Sequence, residues 1–312
     1  MNIEEIQKRF KTLYAEIGRS VIGQEEVVEQ VLAGILCNGH VYVEGYPGLA
    51  KTLLVKTLAN ILDLRFSRIQ GTPDLLPSDI TGTYIIDESK GKKEFKFQPG
   101  PIFSNIVLVD EINRATPKSH SAMLEAMQER QVTVGNSTYK LEEPFFVLAT
   151  SNPIELEGTF NLSEAQVDRF LFKINIGYPK FDDEIKIVDM YADKDPGEIK
   201  LRKLFSKDEI LKLQMLTRQV PVANDMKKYA VELVDSTRKN KTLIEYGASP
   251  RASINLILAA KARAIMNGRK YVSKEDINVM AHPVLRHRII LSFEAERQNI
   301  SEDEAITKLI KK

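Results

Sequence analysis

The chain has 312 residues, enough for two domains, and 44 Lys and Arg residues nearly balance 43 Asp and Glu residues. Because proteins that live on duplex nucleic acid usually carry a basic excess, this balance argues against nucleic acid as a partner. A single cysteine, Cys37, excludes an intramolecular disulfide framework and a thiolate zinc site. The apolar runs are too short to cross a bilayer, and the N-terminus lacks a signal-peptide pattern. We therefore expect a soluble, cytoplasmic protein without membrane insertion.

The first half of the chain alternates short β-rich apolar runs with amphipathic helical runs, which predicts a parallel sheet wound with helices. The five candidate strands are residues 40–44, 65–70, 105–110, 144–150 and 170–176. Two further stretches, residues 80–100 and 131–141, alternate apolar and polar side chains around Gly-containing turns. This alternation predicts two β-hairpin insertions rather than crossover helices.

After about Tyr178 the strand signals fade and helical periodicity takes over, which predicts a second, all-α domain. Its candidate helices are residues 182–192, 206–218, 225–239, 251–267 and 273–281. Three residues, Asp182, Ser206 and Ser273, stand at positions that suit a helix N-cap. The predicted domains are therefore an α/β core at residues 1–178 and a smaller helical domain at residues 179–312.

The strongest chemical signal is the sequence GYPGLAKT, which follows a predicted strand and opens a predicted helix. Its residues are Gly45, Tyr46, Pro47, Gly48, Leu49, Ala50, Lys51 and Thr52. Gly45 and Gly48 permit positive φ and a close approach of the backbone to an anion, so that successive N–H groups can bind phosphate. Lys51 is expected to reach the β- and γ-phosphates of a nucleotide, and Thr52 to bind Mg²⁺.

Ala50 stands where the usual phosphate-loop pattern has its second glycine. We expect the substitution to be tolerated if the position has helical backbone angles, because alanine is the smallest replacement for glycine. The competing interpretation of the whole segment is an ordinary Gly-Pro turn before a helix.

Two more predicted strands end in residues suited to the same chemistry. Residues 106–111 form an apolar run that ends in Asp110 and Glu111, at the edge where α/β sheets bind ligands. Asp110 is expected to orient the water shell of Mg²⁺, and Glu111 to act as general base on the attacking water. Asn152 follows the next strand and is expected to bond the γ-phosphate or that water, although an Asn-Pro turn is also common for structural reasons.

Three arginines are candidates for contact with phosphate. Arg169 precedes the last predicted strand, where it is expected to reach a nucleotide held by a neighbouring subunit, with a salt bridge to Asp168 or Glu164 as the alternative. Arg251 begins a helix of the second domain and is expected to close over the γ-phosphate from that domain, unless it merely starts the helix. Arg114 is a third and weaker candidate.

In their order and number, these motifs resemble the MoxR family of AAA+ ATPases. The resemblance covers nearly the whole chain, from VIGQ through GYPGLAKT, QGTPDLLPSDITG, FQPGPIF, VLVDEINRATPK, AMQERQVT, ATSNPIELEGTF, EAQVDRF and GASPRAS to PVLRHRI. It implies an AAA+ P-loop core with a five-stranded parallel sheet and β-hairpin inserts, followed by an all-α lid domain. The alanine at position 50 is itself a form seen in that family.

The resemblance also assigns residues. It implies a Walker A loop at residues 45–52, Walker B acids at Asp110 and Glu111, sensor 1 at Asn152, an arginine finger at Arg169 and sensor 2 at Arg251. An adenine pocket is implied at the VIGQ segment, formed by Val21, Ile22, Gly23 and Gln24. The hairpins at residues 80–100 and 131–141 correspond to the helix-2 insert and the pre-sensor-1 insert.

At the level of activity, the resemblance implies a homo-hexameric, chaperone-like enzyme that uses ATP and Mg²⁺ to mature or activate protein clients, often with von Willebrand factor A domain partners. An ATP-hydrolysing remodeller is therefore the leading hypothesis. One alternative is a nucleotide-gated scaffold with little turnover, against which Glu111 and Asn152 argue. The other is a helicase-like DNA motor, because four lysines make the first insert locally basic. These are Lys90, Lys92, Lys93 and Lys96.

Overall fold

The computed structural model describes residues 2–87, 93–154, 159–192 and 199–311. Its central feature is a five-stranded parallel sheet with the strand order β2-β5-β8-β1-β9. The strands are β1 (Val41–Gly45), β2 (Phe66–Gln70), β5 (Ile106–Asp110), β8 (Phe146–Ser151) and β9 (Phe172–Ile176). All five predicted strands are confirmed, with boundaries that differ by one or two residues.

The apolar run of β5 explains why this strand lies in the middle of the fold. Its side chains alternate between two buried cores: Ile106 and Leu108 belong to one, whereas Val107 and Val109 belong to the other. All four residues are fully buried, as is typical of a parallel strand covered by helices on both faces. Hydrophobic burial on both sides therefore places β5 inside the sheet, with its acidic end between the ends of β2 and β8.

Helices cover both faces of the sheet. Those of the first half of the chain are α1 (Ile3–Ile17), α2 (Glu25–Leu36), α3 (Lys51–Ile61), α4 (Pro77–Thr81), α5 (Pro117–Glu129) and α6 (Glu164–Val167). Single 3-10 turns lie at Pro101–Phe103 and Ile112–Arg114. No helix of the described residues is both long and apolar enough to span a membrane.

Both predicted β-hairpins are present. The first pairs β3 (Gly82–Asp87) with β4 (Glu94–Pro99), and its turn, with Lys90 and Lys92, lies outside the described residues. The second pairs β6 (Gln131–Val134) with β7 (Ser137–Lys140). Aromatic rings join the two hairpins: the ring centroids of Phe97 and Tyr139 are 4.1 Å apart.

The region after residue 178 is mainly helical. Its helices are α7 (Phe181–Tyr191), α8 (Lys207–Gln219), α9 (Asn224–Lys239), α10 (Pro250–Met266), α11 (Lys274–Leu285), α12 (Phe293–Arg297) and α13 (Glu302–Ile310). The expectation of a purely helical region is wrong in one detail, because β10 (Ile244–Tyr246) and β11 (Ile290–Leu291) form a short antiparallel pair. Two extended segments beside the helices satisfy each other's backbone groups in this way.

Two of the three predicted N-caps are confirmed. The side chains of Ser206 and Ser273 accept hydrogen bonds from the backbone N–H groups of Glu209 and Asp276. The prediction for Asp182 is wrong, since the N-cap of α7 is Lys180. Asp182 lies instead within the first turn, where a negative side chain is favoured by the helix dipole.

The helix α1 connects the sheet region with the lid region. The guanidinium of Arg9 contacts the carboxylate of Glu209 on α8 at 2.6 Å, and the hydroxyl of Tyr14 lies 4.0 Å from the sulfur of Met266 on α10. One buried apolar core runs through both regions without interruption. The division into domains at residues 178 and 179 stays a prediction.

Candidate functional site

Three neighbouring strands end together at the carboxyl edge of the sheet. In the order β5-β8-β1, β5 ends at Asp110, β8 is followed by Asn152, and β1 ends at Gly45. Asn152 therefore emerges between the acidic pair and the loop that leads into α3. Hydrophobic packing of the strands brings these residues together, although they are distant in sequence.

The two glycines of the loop between β1 and α3 have different roles. Only one of them has the positive φ that the sequence suggests for both. Gly48 has φ +81°, and a Cβ there would meet no atom within 4 Å, so the space above it is open. Gly45, in contrast, is not among the residues with positive φ. A Cβ on Gly45 would lie 2.9 Å from the carbonyl oxygen of Ile176, so glycine is needed there for close strand packing.

Ala50 has φ 54° and ψ 21°, in the left-handed region. The condition of helical angles is therefore not met at this position, because the residue directly before α3 adopts the left-handed conformation. For a residue with a Cβ, this conformation costs about 1 kcal/mol, which explains why a glycine commonly stands at this position.

The remaining loop residues differ in burial: one side chain anchors the loop in the core, and the others face solvent. The side chain of Leu49 is buried in the core, whereas Tyr46, Pro47 and Gly48 are exposed. The ring of Tyr46 stacks on that of Tyr178, with 5.5 Å between the ring centroids. The ammonium of Lys51 donates to the carbonyl oxygens of Gly45 at 2.5 Å and Tyr46 at 3.2 Å, and therefore lies over its own loop.

Asp110 is held by hydrogen bonds to both carboxylate oxygens. The hydroxyl of Thr150 donates to one oxygen at 2.6 Å, and the guanidinium of Arg68 donates to the other at 2.6 Å. Thr52 is the second residue of α3, directly after the loop that follows β1. The side chains of Asp110 and Thr52 offer oxygen atoms of the kind that Mg²⁺ prefers.

Glu111 has an unusual backbone conformation, and one of its carboxylate oxygens is held by two donors. Its φ is 55°, and its N–H donates to the hydroxyl of Thr150 at 3.0 Å. One carboxylate oxygen accepts hydrogen bonds from the amide of Gln70 at 3.0 Å and from the guanidinium of Arg114 at 3.1 Å. Arg114 thus contacts the predicted general base of its own chain.

Sequence reasoning missed three members of this network: Arg68 and Gln70 on β2, and Thr150 on β8. β2 and β5 pair so that Gln70 lies opposite Asp110. Only the pairing register reveals this contact, because about 40 residues separate the two positions in sequence. The amide oxygen of the buried Asn152 accepts a hydrogen bond from the N–H of Ile154 at 3.2 Å, which shapes the turn after β8.

The VIGQ segment lies beside the same edge. The amide of Gln24 donates to the carbonyl oxygen of Gly177, directly after β9, at 3.2 Å. Gly23 has φ +73° and turns the chain into α2. Val21 and Ile22 line a cavity of about 570 Å³ together with α7. This cavity is partly apolar, and no residue of the phosphate loop lines it.

Arg169 and Arg251 lie elsewhere. Arg169 precedes β9 and therefore stands at the amino edge of the sheet, a strand length of ~16 Å from the edge that holds the phosphate loop. The structure does not place Arg251 over the phosphate loop of its own chain, because its guanidinium pairs with the carboxylate of Asp168. Arg169, Arg218 and Arg251 line one cavity of about 300 Å³.

The expected alternative for Arg169, a salt bridge to Asp168 or Glu164, is not found among the described residues. Asp168 instead pairs with Arg251 and Arg288. The guanidinium of Arg169 is exposed, as is that of Arg218 at the end of α8. Arg218 was not predicted as a site residue, and only the docking of α8 brings it to this cavity.

The sequence also matches known families and proteins. The model of the ATPase family associated with various cellular activities (AAA) matches residues 40–172, and an AAA lid domain model matches residues 237–309. Chaperone MoxR1 of Mycobacterium tuberculosis is 43% identical over 303 residues, which covers 95% of this chain and 79% of that protein. The chain belongs to the MoxR family of AAA+ ATPases.

Two further comparisons agree with this MoxR assignment. Protein MoxR of Paracoccus denitrificans is 30% identical, with 93% of this chain and 91% of that protein covered. A crystal structure of a Cytophaga hutchinsonii protein superposes with a TM-score of 0.91 at 43% identity and covers 99% of this chain and 96% of that one. These relatives favour neither the scaffold nor the DNA-motor alternative.

Proposed function

We propose that this MoxR protein hydrolyses ATP with the help of Mg²⁺ and uses the energy to remodel protein clients. The observation that carries the proposal is the meeting of the phosphate loop, the two acids and Asn152 at one edge of the sheet. The relative named Chaperone MoxR1 supports the remodelling role. By resemblance to the family, we further propose a homo-hexamer and partners with von Willebrand factor A domains.

The residues at this edge fit ATP and Mg²⁺. The open space above Gly48 and the exposed loop allow phosphate oxygens to approach backbone N–H groups at the start of α3. Lys51 would supply a positive charge to the phosphates, and Thr52 and Asp110 would hold the metal ion. When bound, Mg²⁺ neutralises phosphate charge. The VIGQ segment, residues 21–24, is proposed to hold the adenine.

Glu111 is proposed to take the proton of the attacking water. Within the described part of the chain, Gln70 and Arg114 both donate to the same oxygen of its carboxylate. The other oxygen is thus the one that we assign to the water. Asn152, on the adjacent strand, is proposed to orient this water or to contact the γ-phosphate.

Arg169 and Arg251 are proposed to act together on the nucleotide of a neighbouring subunit. Within one chain they lie at the sheet edge opposite to the phosphate loop, so their own nucleotide is out of reach. Head-to-tail contacts in a ring bring opposite edges of adjacent subunits together. A guanidinium that enters a neighbour's site can stabilise the charge that develops during phosphoryl transfer.

The first test is the Glu111→Gln variant. We expect ATP turnover to fall by about 100-fold or more, because the general base is lost, while ATP binding persists. The matched control is Glu125→Gln on α5, which is exposed and contributes none of the hydrogen bonds to Asp110 and Glu111 within the described residues, and it should keep wild-type turnover. Turnover of Glu111→Gln at the wild-type rate would contradict the proposed chemistry.

The same variant also tests the trans arrangement. Arg169→Ala and Glu111→Gln subunits should each be inactive alone but regain turnover when mixed, since one supplies the acid and the other the arginine. When the two variants are mixed in equal amounts and assemble at random, about a quarter of the subunit interfaces combine an intact Glu111 with an intact Arg169. Absence of any recovery in mixed assemblies would count against an arginine that acts between subunits.

A further inference from the structure

The sequence PVLRHRI near the C-terminus packs against the amino end of β9. The guanidinium of Arg286 donates to the carbonyl oxygen of Lys173 at 2.8 Å, and Nε2 of His287 lies 3.2 Å from the carbonyl oxygen of Phe170. Arg288 donates to the carbonyl oxygens of Leu171 at 3.1 Å and Phe170 at 2.6 Å. The segment after α11 thus holds the stretch that contains Arg169.

Arg288 has the more deeply buried side chain of the two arginines in this segment, with 1% of it exposed. Its Nε donates to one carboxylate oxygen of Asp168 at 2.7 Å, and its Nη2 donates to the backbone carbonyl of the same residue at 3.2 Å. Burial lowers the pKa of Arg288 to about 10, and Asp168 opposes this shift. Arg288 is therefore charged at neutral pH and needs the carboxylate beside it.

The second carboxylate oxygen of Asp168 accepts a hydrogen bond from the guanidinium of Arg251. Unlike Arg288, Arg251 has 57% of its side chain exposed. One carboxylate thus joins a buried, multiply hydrogen-bonded arginine to an exposed arginine that is proposed to contact ATP. The next residue in the chain is Arg169, whose backbone position depends on the same anchored segment.

We propose that Asp168, held in place by Arg288, is the positioning residue that orients Arg251 and Arg169 toward the neighbouring subunit's nucleotide. This inference rests on the proposed trans role of the two arginines. A long exposed arginine samples many rotamers, and a fixed anion restricts it before the neighbour docks. Preorganised charge of this kind stabilises a transition state without rearrangement during the reaction.

A neighbouring ion pair provides a matched comparison. Arg286 contacts both carboxylate oxygens of Asp303 at 2.9 Å, and 8% of its side chain is exposed. It also belongs to PVLRHRI and reaches β9, but no described arginine other than Arg286 pairs with Asp303. Arg286 and Arg288 thus each connect the lid region to the segment around β9, but only Asp168 pairs with Arg251.

The experiment compares Asp168→Asn with Asp303→Asn in the assembled protein. For Asp168→Asn we expect kcat for ATP to fall about tenfold or more, because a small misplacement of a catalytic charge is costly. KM and the affinity of its own site for ATP should stay at the wild-type value. Asp303→Asn should keep kcat within about twofold, even if its unfolding temperature falls to the same extent.

A mixing experiment provides a readout that a purely structural role would not change. Asp168→Asn subunits keep their own acids, so turnover should recover when they are mixed with Glu111→Gln subunits, which supply well-placed arginines. Wild-type kcat in Asp168→Asn, or an equal loss in Asp303→Asn, overturns the inference.

Should Asp168→Asn fail to assemble, Asp168→Glu replaces it. A kcat reduced about threefold or more at unchanged KM supports the positioning role, and a wild-type kcat overturns it.

Failure of this inference is distinguishable from failure of the proposed function. If Arg169→Ala and Glu111→Gln complement each other while Asp168→Asn behaves as wild type, the arginines act in trans without Asp168. If that first pair does not complement, the trans arrangement itself fails and the positioning role falls with it.

Discussion

At the scale of single residues, the acids of the candidate site are held by side chains from a neighbouring strand. On β2, the guanidinium of Arg68 donates to Asp110, and the amide of Gln70 donates to Glu111. Arg68 is 49% exposed and donates to an oxygen that Mg²⁺ and its water shell would require. A cation at this position competes electrostatically with the metal ion.

This competition predicts the effect of Arg68→Ala. Removal of the guanidinium should lower the Mg²⁺ concentration for half-maximal ATP turnover by about two- to fivefold, the range expected for a partly exposed ion pair. The measurement is a Mg²⁺ titration of turnover at saturating ATP.

Arg65→Ala is the matched control for this titration. Arg65 immediately precedes β2, at the opposite end of the strand, and pairs with Glu142 rather than with a site residue. Its Mg²⁺ dependence should equal that of the wild type. An Arg68→Ala protein that needs more Mg²⁺, or the same amount, would contradict the proposed competition.

At the scale of secondary-structure elements, the two β-hairpins behave as one unit. Tyr139 of β7 stacks on Phe97 of β4, and its hydroxyl lies 2.8 Å from that of Tyr84 on β3. Beyond this contact the first hairpin projects outward, and 78% of the Phe95 side chain is exposed. The aromatic contact is thus the connection that orients the first hairpin on the second.

Phe97→Leu should loosen this connection. Loss of the ring pair removes about 1 kcal/mol, so amide hydrogen exchange in residues 82–87 and 94–99 should accelerate about fivefold. Phe95→Leu, the same change on the same strand at an exposed side chain, should leave exchange near the wild-type rate. Equal acceleration in both variants would show that strand propensity, and not ring stacking, holds the hairpin.

At the scale of the whole molecule, α1 fastens the lid region to the sheet region. Its Arg9 donates to Glu209 and lies 4.2 Å from the ring centroid of Phe205, so one side chain joins an ion pair and an aromatic contact. Hydrogen bonds from Arg9 are the largest cause that lowers the pKa of Glu209 to about 2. The folded state therefore favours the ionised carboxylate.

This shift predicts a pH-dependent effect of Glu209→Gln. A carboxyl group whose pKa is lowered on folding adds stability above its ordinary pKa near 4.5, and this contribution is lost as the pH falls toward 2. At pH 7 the variant should be less stable than the wild type by about 1 kcal/mol, since the pair is partly exposed. Urea unfolding between pH 7 and pH 2 should show this difference shrinking.

The control for this pH series is Glu232→Gln on α9, which is exposed and forms no ion pair within the described part of the chain. Its stability should follow that of the wild type at every pH. A difference between Glu209→Gln and wild type that persists unchanged at pH 2 would contradict an ionic contribution from Arg9.

Much of the fold and of the site was predictable because short-range patterns encode it. Apolar runs predicted the five parallel strands, and the shared edge of parallel strands predicted that Gly45, Asp110 and Asn152 would converge. The conformation of Ala50 was not predictable, since left-handed angles depend on how the loop meets α3. Contacts made by Arg68 and Gln70 depend on strand register, which local patterns do not encode.

The sequence by itself determined the order of strands and helices, the phosphate loop and the acidic pair, because each is encoded in a short contiguous segment. It also determined the family, because the family follows from the whole series of such segments. Only the tertiary structure decided that Arg251 lies with Arg169 and Asp168 at the edge opposite to the phosphate loop. Its position follows from how α10 and the segment after α11 dock against β9. That docking depends on burial and ion pairs between residues more than 80 positions apart, such as Asp168 and Arg251.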